Sequence, residues 1–200
     1  MKKIWMILGI IVIVLIGGIL LLNFNKNHNN QTQGYNQSIA PDEQNDYVGE
    51  DITIITKDFR AIIKKDWQNL EIPPSTWVYL PPNIAQEDVN AEVISITVTF
   101  LGESNQYTLT DLFEQGIENS EKIMSDFELT ETIDWKNNYL TGKKIKFTGT
   151  SEGVKRNTIQ TFGIKYNNLY TITYSCPVNS CNSYAVYNSL SESFQPAQAK

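Results

Sequence analysis

The chain has 200 residues, with 22 Asp and Glu against 16 Lys and Arg, and its formal net charge at pH 7 is −6. The carboxylates are spread along the chain, so this balance argues against nucleic acid and anionic lipid surfaces as main partners. The chain from about residue 48 onwards has the length of one ordinary domain and can enclose a hydrophobic core.

An unbroken apolar run, IWMILGIIVIVLIGGILLL, occupies residues 4–22. About 20 apolar residues in a helix cross a hydrocarbon core about 30 Å thick, and a helix satisfies every backbone polar group of the span. We therefore predict a transmembrane helix that is an uncleaved signal-anchor. The alternative is a cleaved secretory signal, but the apolar part of such signals is about 7–15 residues long and ends in small residues. Lys2 and Lys3 favour a cytoplasmic location for residues 1–3 and an extracytoplasmic location for the domain.

The segment from residue 23 to residue 47 is rich in Asn and Gln and almost free of apolar side chains. Such a composition cannot bury enough surface to offset its ordering entropy, so we predict a flexible linker. His28, the only histidine, lies in this linker and is expected to be solvated. Residues 48–196 are predicted to form the extracytoplasmic domain, and residues 197–200 a tail.

The domain begins with a predicted hairpin and a proline-rich segment. Residues 51–56 and 59–64 are β-branched and aromatic, which is typical of two strands joined by a short turn. Residues 66–92 contain two Pro-Pro pairs, which disfavour helix and interior strand. We therefore predict an extended loop held to the core by its aromatic side chains, with an exposed binding surface as the alternative. These aromatic residues are Trp67, Trp77 and Tyr79.

A strand and a helix follow. Residues 93–101 alternate in polarity, which predicts a half-buried strand whose core face carries Ile94, Ile96, Val98 and Phe100. A capping-box-like start at Thr108 then opens an amphipathic helix. The glutamates of this helix are interpreted as a solvent-facing stripe, and a metal or catalytic cluster is the alternative. They are Glu114, Glu118 and Glu121.

The rest of the domain is predicted to be a meander of antiparallel strands and a closing helix. The strands are residues 127–135, 139–150, 154–166 and 169–176, and Asn167-Asn168 is interpreted as a two-residue hairpin connection. Asn182 or Ser183 can cap the closing helix. Strands with one interrupting and one closing helix predict an α+β domain, a twisted antiparallel sheet covered by helices.

Cys176 and Cys181 are the only cysteines. Outside the membrane thiols are usually oxidised, so we predict a disulfide that closes this short loop. A structural zinc site would need four ligands, and the sequence offers no further partners near this pair.

The sequence contains few residues typical of an active site. The domain has no histidine, no G-x-S-x-G elbow, no phosphate-binding glycine loop and no H-E-x-x-H motif, so we expect no enzyme, no metal and no cofactor. Carboxylate pairs such as Glu87-Asp88 and Glu128/Glu131 leave a carboxylate-based hydrolase as an alternative. A basic cluster on one predicted hairpin is interpreted as protection of a sheet edge, with a partner-docking patch as the alternative. It contains Lys143, Lys144, Lys146, Lys155 and Arg156.

The order of these elements resembles the PsbP family. The resemblance covers about residues 59–194 and rests on an early strand ending near Trp67, the strand VISITVTF, the helix LTDLFEQGIENSEKI, the segment LTGKKIKF, the strand NNLYTITY and a last helix ending at Phe194. It implies an αβα sandwich with a central antiparallel sheet, here preceded by a transmembrane helix. It also implies a binding or assembly module with no catalytic residues to transfer, while a role in photosystem II or nuclear import does not carry over.

The first hypothesis is therefore a single-pass membrane protein whose PsbP-like domain acts outside the cell membrane as a non-catalytic binding or assembly factor. Its partners would be the bilayer, through residues 4–22, and a protein of the cell envelope, with no nucleic acid. The alternatives are the extracytoplasmic hydrolase and a small-ligand sensor that uses the proline-aromatic segment as a lip.

Overall fold

The computed structural model describes residues 49–73, 75–85, 88–103 and 107–197. The predicted transmembrane helix at residues 4–22 and the predicted linker lie outside the described residues. Within the described ranges, no helix combines the length and the apolar character that a membrane span requires.

Two antiparallel sheets and two helices form the domain. The smaller sheet has the order β1-β2-β10 and the larger one the order β3-β4-β5-β9-β8-β7-β6. The strands are β1 (Asp51–Ile55), β2 (Phe59–Lys64), β3 (Gln68–Ile72), β4 (Thr76–Leu80), β5 (Val93–Phe100), β6 (Ser125–Lys136), β7 (Thr141–Ser151), β8 (Val154–Lys165), β9 (Asn168–Pro177) and β10 (Gln195–Pro196). The helices are α1 (Leu109–Ile123) and α2 (Tyr184–Ser193). The α+β class is thus confirmed.

The two helices pack on opposite faces of the large sheet. Alternate residues of each strand form these two faces. On one face, Ile94 and Ile172 pack with Tyr187 of α2 and Phe59 of β2 in the largest core cluster. On the other face, Phe147 and Phe162 of the sheet pack with Leu112 and Phe113 of α1. This arrangement is the αβα sandwich that the resemblance implied.

Helix α1 begins as the sequence predicts. Thr108 Oγ1 accepts a hydrogen bond from Asp111 N at 3.1 Å, and Asp111 Oδ2 accepts one from Thr108 N at 2.8 Å. This reciprocal capping box satisfies backbone donors that the first helical turn leaves free. The glutamates at 114, 118 and 121 are exposed on the outer side, where Lys122 Nζ donates to Glu118 at 2.7 Å. The prediction of a solvent-facing stripe is confirmed.

Residues 68–80 of the proline-rich segment form a hairpin, so the predicted extended loop is wrong for this part, although the aromatic side chains do hold it to the core. Strands β3 and β4 pair in antiparallel register from Gln68↔Leu80 to Ile72↔Thr76. Pro73 lies just after β3, and the second proline pair starts at Pro81, just after β4. Proline cannot donate to a ladder but is tolerated at its ends. The spacing of the two pairs therefore leaves room for one complete strand.

Strand β5 also differs from its prediction. Residues 93–98 are buried on both faces, whereas the sequence predicted one solvated face. Phe100, predicted on the core face, is the last residue of β5 and is 64% exposed.

Cys176 and Cys181 form the predicted disulfide between β9 and α2. Replacing both by serine is expected to lower the free energy of unfolding by about 2 kcal/mol, because the closed loop is short and restricts the unfolded chain only modestly. Urea unfolding of the oxidised protein and the double variant measures the difference. Equal free energies of unfolding would contradict this prediction.

Candidate functional site

The aromatic residues proposed as a binding surface belong to the core. Trp67, Trp77 and Tyr79 are 6%, 3% and 1% exposed and lie in the same buried cluster. The Trp77 ring meets Phe59 edge-on with 4.8 Å between ring centroids. The alternative of an exposed surface at these residues is therefore wrong, since β4 directs Trp77 and Tyr79 onto the face that β2 covers.

The basic cluster divides between the two faces of the sheet. Lys143 Nζ bonds Asp134 at 2.9 Å and lies 5.7 Å from the centre of the Phe113 ring, on the α1 face. Its neighbour Lys144 lies over Tyr187 on the α2 face, where burial lowers the pKa of its ammonium. These residues lie on β7, between β6 and β8, so the interpretation as a protected sheet edge is wrong.

The remaining basic residues also lie apart. Lys146 bonds Glu131 at 2.6 Å. Lys155 is exposed, whereas its neighbour Arg156 is only 4% exposed. Arg156 thus cannot contribute to an exposed docking patch. A docking role for the four lysines stays a prediction, without a common surface to support it.

Arg156 holds the segment before β5 against β9. Its Nη1 donates to the carbonyl of Val89 at 2.9 Å and its Nη2 to the carbonyl of Ala91 at 2.7 Å. Its Nε donates to Ser175 Oγ at 2.8 Å, and Nη2 also reaches the Ser175 carbonyl at 3.1 Å. A buried guanidinium is stable only with such a set of acceptors.

Glu92, which is 7% exposed, makes a second set of buried hydrogen bonds just before β5, on the opposite face of the large sheet from Arg156. Its Oε1 accepts from Asn182 N at 2.7 Å, and its Oε2 accepts from Ser183 N at 2.8 Å and from the Tyr174 hydroxyl at 2.9 Å. The carboxylate thereby caps the start of α2, where negative charge is favourable. Burial and then Glu92 raise the pKa of Tyr174. Because Arg156 and Glu92 are both buried, we infer that they stabilise the fold rather than form a binding site.

Three exposed aromatic residues lie at the same end of the large sheet, and we call them the aromatic end: Phe100, Tyr139 and Tyr166, which are 64%, 42% and 42% exposed. Phe100 pairs with Asn168 at the end of β5, and Leu101 N donates to Asn167 O at 2.8 Å. Lys165 Nζ donates to the Tyr139 carbonyl at 2.6 Å and lies 5.3 Å from the centre of the Tyr166 ring. The end of β5 and the turns β6–β7 and β8–β9 therefore adjoin.

Tyr166 occupies an unfavourable backbone conformation. Lys165 pairs with Asn168, so Tyr166 and Asn167 form the two-residue turn, with φ of 52° and 57°. The sequence predicted this turn one residue later, at Asn167-Asn168. Left-handed backbone suits Asn but costs a bulky residue about 1–2 kcal/mol. The fold thus presents an aromatic side chain to solvent at an energetic cost.

Comparison with solved structures identifies the architecture. The domain aligns with cyanobacterial PsbP from Synechocystis at a TM-score of 0.53, with 11% sequence identity, covering 74% of this chain and 91% of that one. The domain has the PsbP-like fold. LpqN of Mycobacterium tuberculosis aligns at 0.54 with 10% identity, covering 74% of this chain and 91% of LpqN. The Ran-binding protein Mog1p of Saccharomyces cerevisiae aligns at 0.54 with 9% identity, covering 76% and 97%. No protein-family model and no curated protein matches the sequence.

Within this PsbP-like domain, the segments that carried the resemblance correspond to β2, β5, α1, β7, β9 and α2. Of the aromatic end, Phe100 lies in β5, whereas Tyr139 and Tyr166 lie in turns, which vary easily in a fold of this kind. Sequence reasoning missed it because Phe100 fits the apolar alternation of β5 and Tyr166 was assigned to a strand.

Proposed function

We propose that this protein is a membrane-tethered, extracytoplasmic PsbP-like domain that acts as a non-catalytic binding or assembly factor. The apolar run at residues 4–22 supports the tether, and the disulfide supports an oxidising compartment. LpqN is described as involved in cell envelope biogenesis and Mog1p as Ran-binding, which favours the binding class over catalysis. The fold alone does not identify the partner.

The observation that carries the proposal is the aromatic end. Aromatic side chains are enriched among the residues that dominate the energy of protein interfaces. A partner surface that covered Phe100, Tyr139 and Tyr166 would bury apolar area that is now in water. The left-handed Tyr166 adds to this argument, because strained residues persist where function requires them. We therefore assign a protein partner to this end of the domain.

The tether and the partner can be tested together by affinity capture from host membranes. The full chain should sediment with membranes and retain a specific protein after solubilisation. A version that begins at residue 48 should remain in the aqueous fraction, and a full chain altered at the aromatic end should sediment but retain no partner. An intact full chain recovered from the aqueous fraction would overturn the tether, and undiminished capture by the altered chain would overturn the assigned surface.

Replacing Tyr166 by asparagine is expected to raise the free energy of unfolding by about 0.5–1 kcal/mol, because Asn tolerates the left-handed conformation. The loss of the Lys165 contact over the ring subtracts about 0.5 kcal/mol from the full gain. The same change at Tyr139, whose φ is not positive, should give no such gain. Urea unfolding of both variants checks the prediction, and a destabilised Tyr166→Asn variant would contradict it.

A further inference from the structure

Strand β1 forms one edge of the small sheet. Among the residues that the structure describes, its one neighbouring strand is β2, with which it pairs in continuous register along its whole length. The side chains of Ile52 and Ile54 pack against the largest core cluster. Thr53 and Ile55 lie on the outer face, and Ile55 is 74% exposed. An edge strand of this kind is a template on which a further strand can pair.

The hydrogen bonds at the two ends of β1 show which of its backbone groups point away from β2. Lys65 N donates to Glu50 O at 2.8 Å, and Thr56 N donates to Phe59 O at 2.9 Å. In an antiparallel pair the backbone groups point to the neighbouring strand at every second residue. The even-numbered residues of β1 therefore bond β2, and the odd-numbered residues of Asp51–Ile55 direct their N–H and C=O groups out of the sheet edge.

The other sheet edges of the described domain carry features that discourage pairing with another chain. Strand β6 shifts its register twice against β7, and such bulges protect an edge. Strand β3 presents exposed Asn69 and Glu71 and is followed by Pro73, and β10 has only two residues. Strand β1 contains no proline, no lysine and no register shift. It is therefore the edge whose sequence favours association.

Two copies of β1 can pair antiparallel about a two-fold axis, because both copies then use the same surface. The outward backbone groups must face each other, and two registers allow this while keeping most of the strand paired. A register centred on Thr53 places Asp51 opposite Ile55 of the second copy. A register centred on Ile54 places Thr53 opposite Ile55 of the second copy. It also places Asp51 opposite Lys57 of the second copy.

Charge favours the register centred on Ile54. The Lys57 side chain is 73% exposed, and its Nζ lies 3.5 Å from Asp58, so the ammonium can still bond a second carboxylate. The Asp51 side chain is 55% exposed and bonds Lys64 at 2.9 Å through one oxygen, which leaves the other able to accept. Opposite charges across a strand pair stabilise it. On the inner face, Ile54 would meet Ile54 of the second copy and extend the apolar contact.

We propose that two copies of this chain associate through their β1 strands, which pair antiparallel with Thr53 of each copy opposite Ile55 of the other. The two small sheets then form one continuous sheet. A contact made by one short strand buries little area, so the association is weak and reversible. It does not depend on the partner at the aromatic end.

Disulfide trapping tests the pairing and its register. Two full chains with different tags, one carrying Thr53→Cys and the other Ile55→Cys, are produced together in the host and oxidised. Directly opposite Cα atoms lie about 5.5 Å apart, which permits a disulfide, whereas like positions of the two copies lie about 8–9 Å apart, which does not. The mixed product should therefore exceed either like product about 10-fold. Thr110→Cys, the same change at an exposed residue of α1, should give no product with Ile55→Cys. Equal amounts of mixed and like products, a Thr53→Cys homodimer as the main product, or no product would overturn the proposal.

A backbone change provides an independent test. Thr53→Pro removes the N–H that would bond the second copy, and proline is tolerated in an edge strand where this N–H faces away from the sheet. Thr53→Ala keeps the N–H and is the matched control. Energy transfer between fluorescent tags on two full chains in the host should fall severalfold for Thr53→Pro and persist for Thr53→Ala. Equal energy transfer in the two variants would overturn the proposal, as it would if a linker segment or another protein covered β1. Capture of the aromatic-end partner should be the same in both variants, which separates this result from a failure of the proposed function.

Discussion

Replacement of Arg156 by methionine is expected to lower the free energy of unfolding by about 3–5 kcal/mol. The guanidinium is 4% exposed and serves the carbonyls of Val89, Ala91 and Ser175. Methionine retains much of the volume but leaves these acceptors without donors, and each unsatisfied buried group costs about 1–3 kcal/mol. The segment before β5 would lose its attachment to β9.

Lys155→Met is the matched control for this change. Lys155 is the exposed neighbour of Arg156 on β8, so the same loss of charge should change stability by no more than about 0.5 kcal/mol. Denaturant unfolding of the two variants gives the comparison. Similar effects at both positions would contradict the assignment of Arg156 to the interior.

The second large effect is expected at the aromatic end. The combined change Phe100→Ser, Tyr139→Ser and Tyr166→Asn should weaken partner binding by about 100-fold or more, because aromatic side chains at the centre of an interface contribute several kcal/mol together. Stability should change little, since these side chains are 64%, 42% and 42% exposed. Binding of the captured partner to purified full chains, measured by titration, provides the affinities.

Val178→Ser is the control for this prediction. Val178 is 40% exposed and follows the last residue of β9, whereas the aromatic end adjoins the first. Removing apolar surface there should leave the affinity unchanged. An equal loss of affinity in the Val178→Ser variant and in the variant altered at the aromatic end would indicate nonspecific apolar binding rather than a defined surface.

Much of the fold was predictable because its elements carry local signals. The capping box at Thr108 and the Cys176–Cys181 spacing each report on nearby chain only, and both predictions agreed with the structure. The alternation along β5 predicted a strand at the right place, but not that both of its faces are buried. The segment with two Pro-Pro pairs was misread because the composition argued for a loop. Only the positions of the prolines relative to the strand ends show that β4 is complete.

The candidate sites depend on register and turn position, which the sequence does not specify locally. A shift of one residue, for example, moves Tyr166 from a strand into a left-handed turn. Arg156 looked like part of a surface cluster because only tertiary contacts show its carbonyl partners.

The most direct measurement is site-specific photo-crosslinking in host membranes, with a benzophenone amino acid placed in the full chain at position 100 or position 178. Attachment through the aromatic end predicts one dominant crosslinked protein from position 100, none from position 178, and loss of the product when Tyr139 and Tyr166 are also replaced. The same product from both positions, or a product only from position 178, would contradict the proposal that this PsbP-like domain binds its partner through the aromatic end.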